Sequence, residues 1–262
     1  LRPVLGSLEE LAEWSDLCKA AGQSFAAAVH VDTGIHRLGL SAAQFADVMT
    51  DKAFLGPFEA SLVMSHLACG SAPDHPMNRH QLDRFRQITA PVPHIPKSLA
   101  NSAGILMGPD FHFDLVRPGI ALYGGKALDN APNAMKPVAR VEARIMILRD
   151  VPEGDTIGYG ATQTATRLLK NAVVAAGSSD GRPGGFGMIG GHRAPILGRI
   201  SMDMITLDVT DVPPDLLARG ALVEMLGPDV AASDLAAYAE TIDYEYLTSL
   251  GRRFERVYAR LS

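Results

Sequence analysis

Two kinds of apolar pattern alternate along the first half of the chain. Runs with little polar relief occur at Leu1-Arg2-Pro3-Val4-Leu5, Phe25-Ala26-Ala27-Ala28-Val29-His30-Val31, Leu62-Val63-Met64-Ser65-His66, Ser98-Leu99-Ala100 and Phe113-Asp114-Leu115-Val116. Continuous short runs of this kind predict strands buried on both faces. Between them the spacing turns helical. Ser7-Leu8-Glu9-Glu10 is a capping-box pattern, followed by Leu8, Leu11 and Trp14 on one stripe and closed by Gly22. Ser41-Ala42-Ala43-Gln44 caps a second helix, and Pro76-Met77-Asn78 opens a third that carries Leu82, Phe85 and Ile88. The strand ends at Asp32, His66 and Asn101 lie about 34 residues apart, the length of a βα unit. The alternation predicts a parallel sheet and part of a (β/α)8 TIM-type barrel, with about five of its eight units.

Near Pro137 the pattern changes. Val138-Ala139-Arg140-Val141-Glu142-Ala143-Arg144-Ile145-Met146 alternates apolar with polar, as in an antiparallel strand with one wet face. Turns at Pro152-Glu153-Gly154-Asp155 and Gly198-Arg199 separate further strands, such as Met204-Ile205-Thr206-Leu207-Asp208-Val209, and a helix is expected near residues 233–240. Residues 178–191, rich in Gly and Ser and holding Pro183, read as a loop; their spacing fits neither a P-loop nor a dinucleotide fingerprint. The expected class is therefore α/β plus all-β: a partial barrel over residues 1–135 and a mostly β domain over 136–262.

Composition narrows the function classes. With 262 residues, 47% hydrophobic and 20% charged, the chain is globular. A net charge of −5 argues against a nucleic-acid surface. No apolar run approaches the roughly 20 residues of a membrane span, and no signal-peptide pattern is read at the start. Cys18 and Cys69 form no CxxC pair, which suits a reducing compartment and a cytoplasmic protein. The chain opens at Leu1 directly on a strand pattern, so a preceding segment is expected.

The candidate chemistry gathers where strands should end. Asn101-Ser102-Ala103-Gly104 offers a hydroxyl and backbone N–H groups suited to a phosphate. Sixteen residues on, Arg117-Pro118-Gly119-Ile120 adds a guanidinium that could pair with a carboxylate or a heteroaromatic nitrogen. His66 could be a metal ligand, a base or a stacking partner, but the histidines show no metal-ligand spacing. Asp32-Thr33-Gly34 matches half of an aspartic-protease signature and lacks the second copy. Tyr159, between Gly158 and Gly160, is either a proton-transfer phenol or an exposed loop residue. Arg199-Ile200-Ser201-Met202-Asp203 is either a substrate-binding edge or a capped strand entry.

Taken in order, these blocks resemble the alanine racemase family. They are His30-Val31-Asp32-Thr33-Gly34-Ile35-His36-Arg37-Leu38-Gly39, Leu99-Ala100-Asn101-Ser102-Ala103-Gly104, Asp114-Leu115-Val116-Arg117-Pro118-Gly119-Ile120, Gly158-Tyr159-Gly160-Ala161-Thr162 and Gly198-Arg199-Ile200-Ser201-Met202-Asp203-Met204. The resemblance implies a pyridoxal phosphate (PLP) enzyme that interconverts L-alanine and D-alanine for peptidoglycan, acting as a homodimer with sites completed across the interface. Arg117 would meet the pyridine nitrogen, with His66 supporting it. Asn101, Ser102, Gly119 and Ile120 would form the phosphate corner. Arg37 would reach the cofactor's phenolic oxygen and the substrate carboxylate. Tyr159 would be one of two opposed proton-transfer groups, and Met202 and Asp203 would touch the substrate.

The departures from the pattern are as informative. The family's PLP-bearing lysine, in a Val-Lys-Ala-Asn-Ala-Tyr-Gly context, matches none of Lys19, Lys52, Lys97, Lys126, Lys136 and Lys170. His30 stands where many members carry a carbamylated lysine, and Ser178 where a tyrosine often narrows substrate entry. The expectation is thus a racemase shown without its lysine segment and inactive alone. The rivals are a non-catalytic PLP-binding remnant and a metal-dependent barrel hydrolase.

Overall fold

Four of the apolar runs do become parallel strands. In the computed structural model, which describes residues 1–51, 56–181 and 184–259, the chain divides into two units. The first comprises Leu1–Ala121 and Ala127–Asn133, the second Leu122–Lys126 and Ala134–Ser262. The first unit runs β1 (Val4–Leu5), α1 (Leu8–Ala21), β2 (Ala26–His30), α2 (Ala42–Thr50), β3 (Glu59–Met64), α3 (Pro76–Thr89), β4 (Lys97–Ser98) and a short α4 (Ser102–Leu106). The strands pair in chain order, β1-β2-β3-β4, all parallel. Residues at alternate strand positions, Ala27, Val29, Val31, Val63 and Leu99, share one core with Leu11 of α1, Phe45 of α2 and Leu82 and Phe85 of α3.

Local sequence explains the helix ends. Ser41 and Gln44 complete a capping box on α2. At α1 the pattern is displaced by one residue: Ser7 accepts from Glu10 N–H, but the Glu10 carboxylate reaches past Ser7 to the N–H of Gly6 at 2.6 Å. Gly22 ends α1 in the left-handed region.

The expected strand at Phe113-Asp114-Leu115-Val116 does not form. Phe113 adopts φ 51° and its ring meets Phe85 edge-on at 5.1 Å. The Asp114 carboxylate then accepts from the Lys97 N–H at 2.8 Å. This segment wraps the start of β4 instead of extending beside it. Only Arg117 returns to pair, through a parallel bridge to Asn101. The unit therefore has four strands and a bridge in place of five βα units.

The second unit is built on β5 (Val141–Val151), β8 (Leu169–Val174), β9 (Phe186–Ile189), β10 (His192–Pro195), β11 (Ile205–Asp208) and β12 (Leu222–Leu226), in spatial order β10-β9-β12-β5-β8-β11. A bridge between Ile196 and Leu207 joins the two end strands and closes the sheet into a ring. The long β5 makes this possible: its first residues pair with β12 and its later ones with β8, across a register shift at Ile145 and Ile147. A separate hairpin pairs β6 (Thr156–Ile157) with β7 (Gln163–Thr164). Two helices, α5 (Ala232–Tyr238) and α6 (Asp243–Thr248), follow; the second was not anticipated. No helix among the described residues is long and apolar enough to cross a membrane.

Residues 178–191 are not all loop. Phe186–Ile189 is β9, and Gly190 and Gly191, both with positive φ, turn it into β10. The glycine that disguised the strand has a packing reason. A Cβ on Gly187 would sit 2.6 Å from Val223 Cγ1. Pro183 and Lys52 lie outside the described residues.

Gly187→Ala is expected to overpack this contact and to lower the unfolding free energy in urea by about 1–3 kcal/mol. Phe85→Ala, which empties a fully buried ring site, is expected to cost about 3–5 kcal/mol.

Candidate functional site

In the first unit the predicted residues converge at the C-terminal ends of the parallel strands. Segments leaving β2, β3 and β4 supply Asp32, Thr33 and Arg37, then Ser65 and His66, then Asn101 and Ser102. The loop after β2 folds back on itself: Leu40 N–H donates to the His30 carbonyl and Asp32 N–H to the Leu40 carbonyl, both at 2.9 Å. A Cβ on Gly39 would stand 2.7 Å from Asp32 N, so this return needs glycine.

The Asp32 carboxyl is not a free acid. Burial alone would push its pKa up, but N–H groups of Gly34, His36 and Ile35 and the His36 ring hold it below the usual carboxylate range. The protease-like tripeptide thus closes a turn.

Arg117 is the centre of this corner. Its Nη1 donates to Ser98 Oγ, and its Nη2 donates to the Ser65 carbonyl at 2.5 Å and the Leu99 carbonyl at 3.4 Å. All three acceptors are neutral. Burial pulls the guanidinium below its ordinary pKa, yet arginine remains a cation. His66 lies close enough to feel that charge. Burial first, then the fields of Arg117, Arg37 and His30, bring its pKa down to about 4. His30 shifts the same way, with burial and then Arg117 leading, and its buried Nε2 has no hydrogen-bond partner among the described residues. Both imidazoles are neutral at pH 7.

Beside Arg117, the Asn101 side chain caps α4 through Gly104 N–H at 3.0 Å. That cap presents Ser102, whose Oγ accepts from Gly119 N–H at 2.8 Å and from Ala121 N–H at 3.3 Å. A Cβ on Gly119 would meet open space, so the backbone there is approachable. Ile120 is buried and begins the 3-10 turn Ile120–Tyr123. An unpaired guanidinium, an exposed Arg37, neutral imidazoles and a hydroxyl bracketed by backbone donors suit an anionic ligand with a heteroaromatic ring. A phosphate-bearing cofactor fits that donor set.

A covalent anchor is what the described residues lack. Lys97 lies at the opposite, N-terminal end of β4, its Nζ donating to the carbonyls of Val92 and Ile95. Lys19 is spent on Asp16 at 2.9 Å, and Lys126, Lys136 and Lys170 belong to the second unit. Among the described residues no three His, Cys, Asp or Glu side chains gather as a metal site.

The second unit carries the other candidates. Tyr159 is 71% exposed on a turn whose flanking glycines have φ 75° and 74°. That turn is braced by the next one. The Gly198 N–H donates to Gln163 Oε1 at 2.6 Å, and the Arg199 guanidinium lies alongside Gly160. From there the chain enters Ser201-Met202-Asp203. The carbonyls of Ser201 and Met202 accept from Ser178 and Ser179 N–H at 3.0 and 2.9 Å. Gly177 makes this approach possible, since a Cβ there would stand 2.3 Å from the Met202 oxygen. Arg253 then ties Asp203 at 2.6 Å to Asp180 at 3.3 Å.

Sequence reasoning missed Arg253 and Asp180, and in the first unit Ser65, Ser98 and Gln81. Gln81 was the legible one, a polar side chain on the apolar stripe of α3.

Comparisons with known proteins cover both units. Residues 1–127 match the family model "Alanine racemase, N-terminal domain" and residues 138–258 match "Alanine racemase, C-terminal domain". The chain is 42% identical to an alanine racemase of Rhodospirillum rubrum, over 98% of this chain and 70% of the relative. It is 44% identical to a catabolic alanine racemase of Agrobacterium fabrum, over 98% and 68%. Among solved structures, the alanine racemase of Bartonella henselae with covalently bound pyridoxal phosphate superposes with a TM-score of 0.90 at 36% identity, over 99% of this chain and 73% of that one. The biosynthetic alanine racemase of Pseudomonas aeruginosa gives 0.85 at 32%, over 98% and 73%.

The neutral histidines carry a pH signature. A base whose folded pKa lies below its unfolded value costs stability as the unfolded chain takes up the proton first. His66 should therefore weaken the fold as pH drops from about 6.5 towards 4. His66→Gln is expected to flatten that part of the urea-unfolding profile; an unchanged slope would show that His66 protonates freely in the fold.

Proposed function

The chain belongs to the alanine racemase family, and from that premise we propose that it holds the PLP corner and one proton-transfer group of an L-alanine/D-alanine racemase. The observation that carries the proposal is Arg117: a partly buried cation without a carboxylate partner among the described residues, beside the Ser102 hydroxyl and the Gly119 backbone. The family is PLP-dependent, and PLP supplies an electron sink for the pair left on the alanine Cα when its proton departs.

Each residue has a part in this reading. Arg117 would meet the pyridine nitrogen as a donor with no proton to give up, which would moderate the electron sink. His66, neutral, adds no second charge there. Ser102 with the backbone of Gly119 and Ile120 holds the phosphate, and Asn101 keeps Ser102 in place. Arg37 meets the phenolic oxygen and the substrate carboxylate. Tyr159 moves the proton on one face of Cα. Met202 and Asp203 line the substrate. We place Tyr159, Met202 and Asp203 in the site of a second copy, which makes the working form a homodimer. The product serves peptidoglycan, and the free thiols Cys18 and Cys69 fit a cytoplasmic location.

The lack of a covalent anchor among the described residues favours a second reading, a remnant that binds PLP without turnover. The 262 residues alone, supplied with PLP, are expected to leave L-alanine unchanged. Formation of D-alanine at about 1 per second or more overturns that expectation. With the family's lysine-bearing segment joined upstream, Tyr159→Phe is expected to lower kcat about a hundredfold or more while PLP stays bound. Near-normal rates in both directions would remove the tyrosine from the mechanism.

A further inference from the structure

Helix α3 buries a glutamine that packing does not require. Gln81 is fully buried between Asn78 and Phe85, and its amide reaches out of the helix to the strand ends. Its Oε1 accepts from Ala68 N–H at 2.7 Å. Its Nε2 donates to Thr33 Oγ1 at 3.0 Å and to the His66 carbonyl at 2.9 Å. Only this orientation of the amide works, because a flip would set a donor against the Ala68 N–H and an acceptor against the His66 carbonyl. One side chain thus ties the segment after β2 to the segment after β3.

The connection continues inward. Thr33 Oγ1 and Ser65 Oγ share a hydrogen bond of 2.7 Å, and both residues are fully buried. The Ser65 carbonyl then accepts from Arg117 Nη2. A path of neutral groups runs from the helix to the guanidinium: Gln81, Thr33, Ser65, Arg117. No side chain of that path bonds the Ser102 hydroxyl, whose oxygen accepts from the backbone of Gly119 and Ala121.

We propose that Gln81 is a positioning residue that sets the direction of the Arg117 guanidinium through Thr33 and Ser65. Removing the amide frees the chain at Ser65 and His66 and lets Arg117 swing, while the phosphate corner keeps its shape. The effect on PLP rests on the functional reading above; the effect on Arg117 does not.

The test uses the full chain and two kinds of readout. Phenylglyoxal modifies arginines, and peptide mass spectrometry gives the rate at each one. In Gln81→Leu the rate at Arg117 is expected to rise about tenfold, what one buried hydrogen bond is worth, with the rate at exposed Arg79 unchanged. Gln81→Glu keeps an acceptor for Ala68 and loses both donated bonds, so it is expected to behave like the leucine variant. By equilibrium dialysis, the Kd for PLP is expected to rise about tenfold and that for inorganic phosphate to stay the same.

An unchanged Arg117 rate in a folded Gln81→Leu protein overturns the proposal. So does a loss of phosphate affinity as large as the loss of PLP affinity, which marks general loosening. If Gln81→Leu does not fold, Thr33→Val breaks the same path with one hydroxyl removed and is judged by the same readings. Should the unsubstituted chain fail to bind PLP while Arg117 still responds to Gln81, the positioning role stands and the cofactor reading falls.

Discussion

A guanidinium drawn out of water, with no carboxylate to meet it among the described residues, must be satisfied by neutral oxygens, and the first unit is arranged around that demand. Arg117 takes its acceptors from Ser65 past β3, Ser98 on β4 and Leu99 just after it. Two strand ends and the returning chain are thereby held to one point. Burial first, and then the same charge, keep His66 and His30 neutral, so neither imidazole adds a second cation beside Arg117. Such a place attracts an anion without needing to bond it in many ways.

The second unit positions its residues by other means. Its turns are held by backbone hydrogen bonds and by the absence of side chains. Gly177 admits the Met202 carbonyl, and Gly158 and Gly160 let the Tyr159 turn lie against residues 198–199. Among its charge arrangements, alongside Arg140 with Glu142 and Glu224 and Arg167 with Asp208 and Asp211, Arg253 lies half exposed between buried Asp180 and exposed Asp203. Surface ion pairs of this kind add little stability; what this one does is restrict where Asp203 can point.

The periodicity of the chain carried the parallel strands, their helices and the change of style near Pro137, because burial on both faces and burial on one face leave different patterns. It did not carry Phe113, whose apolar neighbours look like a strand while its ring meets Phe85 and the N–H groups of the next two residues, Asp114 and Leu115, donate to the Lys97 carbonyl. Nor did it carry β9, where Gly187 is small because Val223 occupies the space of its side chain. Both misreadings have one origin: a contact distant in sequence overrode a local preference. The same holds for the candidate site. Motif blocks pointed to Arg117, Ser102 and Tyr159, the residues to which the proposed function gives a part at the ligand. The residues that place them, Ser65, Ser98 and Gln81, bond through generic oxygens and amides, and nothing local separates them from others of their kind.

The bridge between Ile196 and Leu207 has a consequence for how such a domain can change over generations. A sheet joined end to end offers no flank where another chain could be added or lost without opening the whole. Variation is pushed into the turns, and it is the turns that carry Tyr159, Met202 and Asp203. A frame that resists alteration while its connections drift is one whose turns can be changed without the sheet being rebuilt.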